Sequence, residues 1–234
     1  MHELLGLLIK TIIATLLIFA LFCAIRTLIP SDHIMTELHP MDEQRMKTGD
    51  LLTVAYPRIH GHLVKIFNGS MWTHSGLVAK SGKDIYVWEM CGYCAVTNKD
   101  TGEKYPGREH ICKVPLKEWL YRNRRQIIAR TPYNGPTLDP KKVDSIYHRL
   151  QLTVKQDIFV INWIKVLKRW PYENNIPPRK MFCTQLVAYV LQELNVLTKE
   201  WDACSFSPHD FVFSKGRYVS DNTYGESRLI HIPK

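Results

Sequence analysis

One stretch constrains the fold of this chain more than any other: the run FCTQLVAYVLQELNVL, from Phe182 to Leu197. Counting from Cys183, apolar residues recur at Leu186, Val187, Val190, Leu191 and Leu194, the stripe of one helix face. Such a helix has to be covered, and Cys183 stands at its first turn on the inward side. First-turn amides have no partner inside the helix, and the helix dipole makes that end positive, so a thiolate there is stabilised and its pKa lowered. None of the preceding Arg179, Lys180, Met181 and Phe182 is a usual capping residue. The amides are thus left to serve a thiolate or a developing oxyanion. The competing reading is plain packing, since cysteine is among the most buried residue types.

A nucleophile needs a base, and the strand patterns supply one. DLLTVAY, HLVKIF, THSGLVAK and IYVWEM read as strands, followed by ICKVPL and QIIART, with KEWLYRNR and DPKKVDSIYHRLQLTV as helices. KRWPYENNIPPRK is a proline-broken loop, and DFVF and RLIHI read as covering strands near the end. Trp72, His74, Gly76 and Val78 share one strand face. A hairpin centred on Ser81-Gly82 sets His74 directly opposite Glu89. Paired side chains have Cβ atoms about 4.5 to 5.5 Å apart, so the carboxylate can orient the imidazole while the imidazole draws the proton from Cys183. Without the cysteine, a histidine and a glutamate across a hairpin are an ordinary polar pair on a solvated face. Together the elements form one α+β domain.

The order of short motifs carries a resemblance. GDLL (Gly49 to Leu52), HSG (His74 to Gly76), an acidic residue late in the next strand (Glu89), FCTQLVAY (Phe182 to Tyr189) and SPHDF (Ser207 to Phe211) follow one another along most of the chain. In this order the chain resembles the circularly permuted branch of papain-like cysteine hydrolases. That branch includes permuted NlpC-type amidases, lecithin:retinol acyltransferase relatives, and poxvirus and giant-virus members. The histidine precedes the cysteine, as permutation requires. The resemblance implies Cys183 as nucleophile, His74 as base and Glu89 as orienting residue. It implies a permuted papain-like fold in which an antiparallel sheet or small barrel packs on the cysteine-bearing helix. It also implies a thioester mechanism, without cofactor, on an amide or ester in a peptide or lipid acyl substrate. A catalytically inactive binding or structural protein of the same fold is the alternative. The long segment between Glu89 and Cys183 is where substrate preference is expected to lie.

The beginning of the chain adds an expectation about place. Residues 4–28 run LLGLLIKTIIATLLIFALFCAIRTL, broken only by Lys10 and Arg26, and about 20 apolar residues cross a bilayer. Residues 1–30 are therefore expected to form a transmembrane anchor, 31–48 a polar linker and 49–234 the enzyme-like domain of a single-pass membrane protein. The two basic residues near the ends of the run are too balanced to set its orientation. A formal charge of +9 suits contact with anionic lipid. Nucleic acid is not expected, because the basic runs RNRRQIIAR and KVLKRW carry no recognised binding signature.

Other constellations compete for the chemistry. CGYC, from Cys91 to Cys94, has the spacing of a redox pair, but AVTNKDTG after it does not read as the helix such a pair requires. Cys91 and Cys94 with His110 and Cys112 make a weak zinc candidate, since the second pair is separated by a single residue. Reduced thiols are expected in a cytosolic domain and a disulfide in a luminal one. His60 and His62 lack a supporting carboxylate, and Asn68 to Ser70 is a glycosylation acceptor only in an extracytoplasmic domain.

Overall fold

The computed structural model describes residues 10–15, 38–40, 42–56, 71–91, 110–156, 179–212 and 223–232. Nine strands and three helices organise the domain among the described residues. The strands are β1 (Leu38–Pro40), β2 (Leu51–Ala55), β3 (His74–Ser81), β4 (Asp84–Cys91), β5 (His110–Pro115), β6 (Ile127–Thr131), β7 (Lys155–Gln156), β8 (Lys180–Met181) and β9 (Arg228–His231). The helices are α1 (Leu116–Asn123), α2 (Pro140–Gln151) and α3 (Cys183–Glu193). Helix α2 begins where its sequence says it should. Pro140 fills the first turn and the Asp139 side chain accepts from the backbone N–H of Lys141 at 2.9 Å.

Seven strands form one sheet in the order β1-β9-β6-β2-β3-β4-β5, and every neighbouring pair is antiparallel except β1 with β9. Alternation along the strands gives each face its own helix. Leu51, Leu77, Ala79, Trp88 and Met90 pack with α2 and α3, where the Trp88 and Tyr147 rings stack with centroids 4.6 Å apart. On the other face Leu52, Val54, Val78, Val87 and Val114 cover Leu116, Trp119 and Leu120 of α1.

Several expectations are corrected. In place of the expected α+β permuted papain-like fold, with an antiparallel sheet or small barrel on the cysteine-bearing helix, the chain forms a mixed α/β arrangement around an open sheet, whose edge strands β1 and β5 lie at opposite ends. Helices on both faces bury the apolar surface that closure would otherwise have to hide. The transmembrane helix expected over residues 4–28, and with it the single-pass membrane localisation, is overturned: among the described residues no helix is long and apolar enough to cross a membrane. Of that segment the structure describes the helical residues 10–15, and the remainder lies outside the described residues. DFVF does not form a strand. Residues Pro208–Phe211 make a short 3-10 helix, with Asp210 accepting from the Ser207 backbone N–H and hydroxyl at 2.7 and 2.8 Å. The HLVKIF strand, the His60 and His62 pair and the Asn68 acceptor lie outside the described residues.

The β3–β4 register also differs from expectation. Ser81 pairs with Asp84, so the turn is Gly82-Lys83, and Glu89 stands opposite Gly76 rather than His74. Gly82 has φ 62°, a left-handed conformation at the first turn position that glycine adopts without penalty. The displacement is two residues, so His74 and Glu89 stay on one face as diagonal neighbours.

GDLL proves to be a structural brace. The Asp50 carboxylate is fully buried and accepts from the backbone N–H groups of Tyr133 at 2.8 Å and Lys47 at 3.2 Å, and from Arg130 Nε at 2.9 Å. It joins the start of β2 to the chain leaving β6. Asp50→Ala is expected to lower the unfolding free energy by about 3 to 5 kcal/mol, by leaving a partly buried cation and two amides unpaired. Urea denaturation measures it, and Asp50→Asn should lose less.

Candidate active site

Cys183 is the first residue of α3, after Phe182 in an extended conformation (φ −101°, ψ 168°) that places no side-chain cap on the helix. The residue is half-buried, its sulfur lies 3.7 Å from the Thr184 hydroxyl, and the nearby Ser75 backbone N–H helps to lower its pKa. His74 opens β3, and its Nε2 lies 2.8 Å from Glu89 Oε2. With Nε2 taken, Nδ1 is the nitrogen left to serve the Cys183 sulfur, whose charge bears on the imidazole. The structure thus brings Cys183, His74 and Glu89 together. Each comes from a different element.

The charges follow from this placement. Burial alone would lower the imidazole pKa. The adjoining Cys183 sulfur, by charge and hydrogen bond, and then Glu89 outweigh it and push His74 from 6.5 up to about 10. Burial alone would raise the thiol, but the charge and hydrogen bond of His74, the Ser75 N–H and the Thr184 hydroxyl hold it below 9.0. Both shifts favour the thiolate–imidazolium form of the pair over the neutral one.

Glu89 is almost wholly buried, and burial would raise its pKa; the hydrogen bond and charge of His74, the charge of Arg122 and the Trp119 N–H hold it below the ordinary carboxylate value. Trp119 Nε1 donates to Oε2 at 2.6 Å, and the Arg122 guanidinium pairs with Oε1. Sequence reasoning missed both residues. They lie three apart on α1, hence on one helix face, and that spacing was the only local signal. Tyr56, also missed, sets its ring 5.8 Å from the imidazole and donates its hydroxyl to Asn123 Oδ1 at 2.8 Å.

Gly76 explains how diagonal residues meet. A Cβ there would stand 2.6 Å from Val87 Cγ1, 3.3 Å from the Trp88 carbonyl oxygen and 3.6 Å from Glu89 Cβ. The missing side chain lets Val87 and the Trp88 carbonyl of β4 approach β3 closely, beside the point where Glu89 pairs.

Of the weak zinc set, only the Cys112 side chain lies among the described residues. Cys112 is disulfide-bonded, so its sulfur is not a thiolate ligand. The side chains of Cys91 and His110, and residue Cys94, lie outside the described residues. Among the described residues no group of three or more His, Cys, Asp or Glu side chains is placed to hold a metal ion.

Two outcomes are expected. Gly76→Ala should destabilise the protein by about 1 to 3 kcal/mol and slow Cys183 alkylation, read by urea midpoint and by mass spectrometry. Iodoacetamide should modify Cys183 readily near neutral pH, where an ordinary thiol is only a few per cent ionised, while buried Cys204 reacts slowly. The sign is set by the thiol: alkylation falls as pH drops through its lowered pKa. Above about 10 the imidazolium is lost, and alkylation persists because the thiolate remains.

In comparisons with known proteins, no family model matches the chain and no curated protein matches it. Among solved structures it is similar to the crystal structure of the metalloprotein yiiX from Escherichia coli O157:H7. The identity is 17% and the TM-score 0.43, over 79% of this chain and 89% of that one.

Proposed function

We propose that the protein is a cysteine hydrolase that cleaves an amide or ester bond through a thioester acyl-enzyme. The observation that carries this reading is the placement of Cys183 at an uncapped helix start with His74 beside it and a buried carboxylate on the far imidazole nitrogen, a setting that favours the thiolate. The Cys183 thiolate attacks the carbonyl carbon, and the electron pair of the C=O bond moves to oxygen. First-turn amides of α3 suit that oxyanion. Collapse of the adduct expels the amine or alcohol, which takes the imidazolium proton and leaves a thioester on Cys183. Water then adds, giving up a proton to His74. The acid departs and the thiolate and imidazolium are restored. Glu89 touches no substrate atom; it holds the imidazole in position. The motif order shared with circularly permuted papain-like hydrolases supports the same roles for the same residues.

The test is acyl-enzyme trapping. Wild-type protein incubated with activated acyl esters and amides should gain one acyl mass, sensitive to hydroxylamine. Cys183→Ala should gain none, and His74→Ala should acylate at least about a hundredfold more slowly. Equal acylation of Cys183→Ala and wild type would rule the mechanism out.

A further inference from the structure

We propose that Arg122 and Trp119 of α1 are positioning residues that keep Glu89 ionised and aimed at His74, and so set the acid limit of Cys183 reactivity. The inference rests on the thiolate mechanism proposed above and extends it to residues that touch neither the sulfur nor the imidazole.

The geometry is specific. Glu89 lies beneath the sheet face that α1 covers, where a lone carboxylate would protonate rather than remain charged. Oε2 receives both His74 Nε2 and Trp119 Nε1, and Oε1 receives Arg122. Rotation of the carboxylate would break all three bonds at once. Other side chains of α1 strengthen the arrangement: Leu116 and Leu120 anchor the helix in the core, and Asn123 accepts from Tyr56, whose ring flanks the imidazole. Among the described residues, the titratable and charged groups facing Glu89 are few. They are His74 from β3, with Cys183 of α3 beyond it, and Arg122 from α1; Cys112, opposite Glu89 on β5, is in a disulfide and does not titrate.

The four groups therefore alternate in sign: thiolate, imidazolium, carboxylate, guanidinium. The Arg122 side chain reaches toward solvent, at 29% exposure against 1% for Glu89. Removing its charge raises the Glu89 pKa. Once Glu89 protonates, the imidazolium loses its counter-charge and gives its proton back to sulfur. The thiolate population then collapses at a higher pH than in the intact protein.

The experiment is the rate of Cys183 alkylation by iodoacetamide against pH, followed by intact mass in the full chain. Circular dichroism and urea midpoint confirm folding of each variant. Arg122→Met should move the acid limb up by about one pH unit, since an opposite charge at this range shifts a carboxylate by about one to three. That means about tenfold slower alkylation below the limb. Arg122→Lys restores the charge and should recover most of the shift, and Trp119→Phe should move the limb in the same direction by less. An unmoved limb in Arg122→Met overturns the proposal, as does an Arg122→Lys limb displaced as far as Arg122→Met. If Arg122→Met does not fold, an unmoved limb in Trp119→Phe overturns it. A wild-type limb at the ordinary thiol value sinks the thiolate mechanism itself and this inference with it, whereas a low wild-type limb that Arg122→Met leaves in place sinks only the role of α1.

Discussion

A carboxylate buried between a sheet and a helix organises this molecule. Desolvating a charge costs several kcal/mol unless well-aimed donors replace the lost water. Glu89 obtains its donors from β3 and from α1. Its demand for partners thus fixes how α1 lies across the sheet and how the His74 ring is turned. The ring's other nitrogen is left facing the start of α3, which is pressed to the opposite sheet face by Leu186, Val187, Val190 and Leu191. A polar requirement on one face and an apolar stripe on the other meet at the end of β3.

What was legible in the sequence is what local periodicity controls. The apolar stripe from Cys183 gives α3 its buried face and puts the thiol at the helix start. The two-residue alternation puts His74 and Glu89 on one face, and that survived a wrong turn because the register error was even. What was not legible depends on distant pairings. Nothing near KEWLYRNR says that its tryptophan and arginine will reach a glutamate on β4, so the arginine read as one more basic residue. Whether a sheet closes or stays open is likewise decided by its two edges, here β1 and β5, and no local pattern reports on them. The 3-10 helix at Pro208–Phe211 is different in kind. Its Ser207 and Asp210 form a capping box with proline at the first position, a signal present in the sequence but outweighed by the apolar letters after it.

The short motifs divide into chemistry and support. His74, Glu89 and Cys183 meet at one point, whereas Asp50 ties the β2 start to the chain after β6, and the Phe211 carbonyl accepts from the Thr131 hydroxyl at 2.7 Å. Both supporting contacts hold β6 and its flank beside β2, the strand that β3 pairs with on its other edge. Short sequence motifs can therefore record bracing as well as a candidate site.

The three groups of the site belong to elements far apart in the chain, β3, β4 and α3. Until the hairpin has paired and the last helix has docked, Cys183 has neither His74 nor the Ser75 amide near it to lower its pKa. During synthesis and in any partly folded state it is an ordinary thiol, mostly protonated at neutral pH. The reactivity proposed for Cys183 would therefore appear only with the native fold. On the proposed mechanism, a chain that fails to complete its sheet would carry no activated nucleophile, and one that unfolds would surrender it.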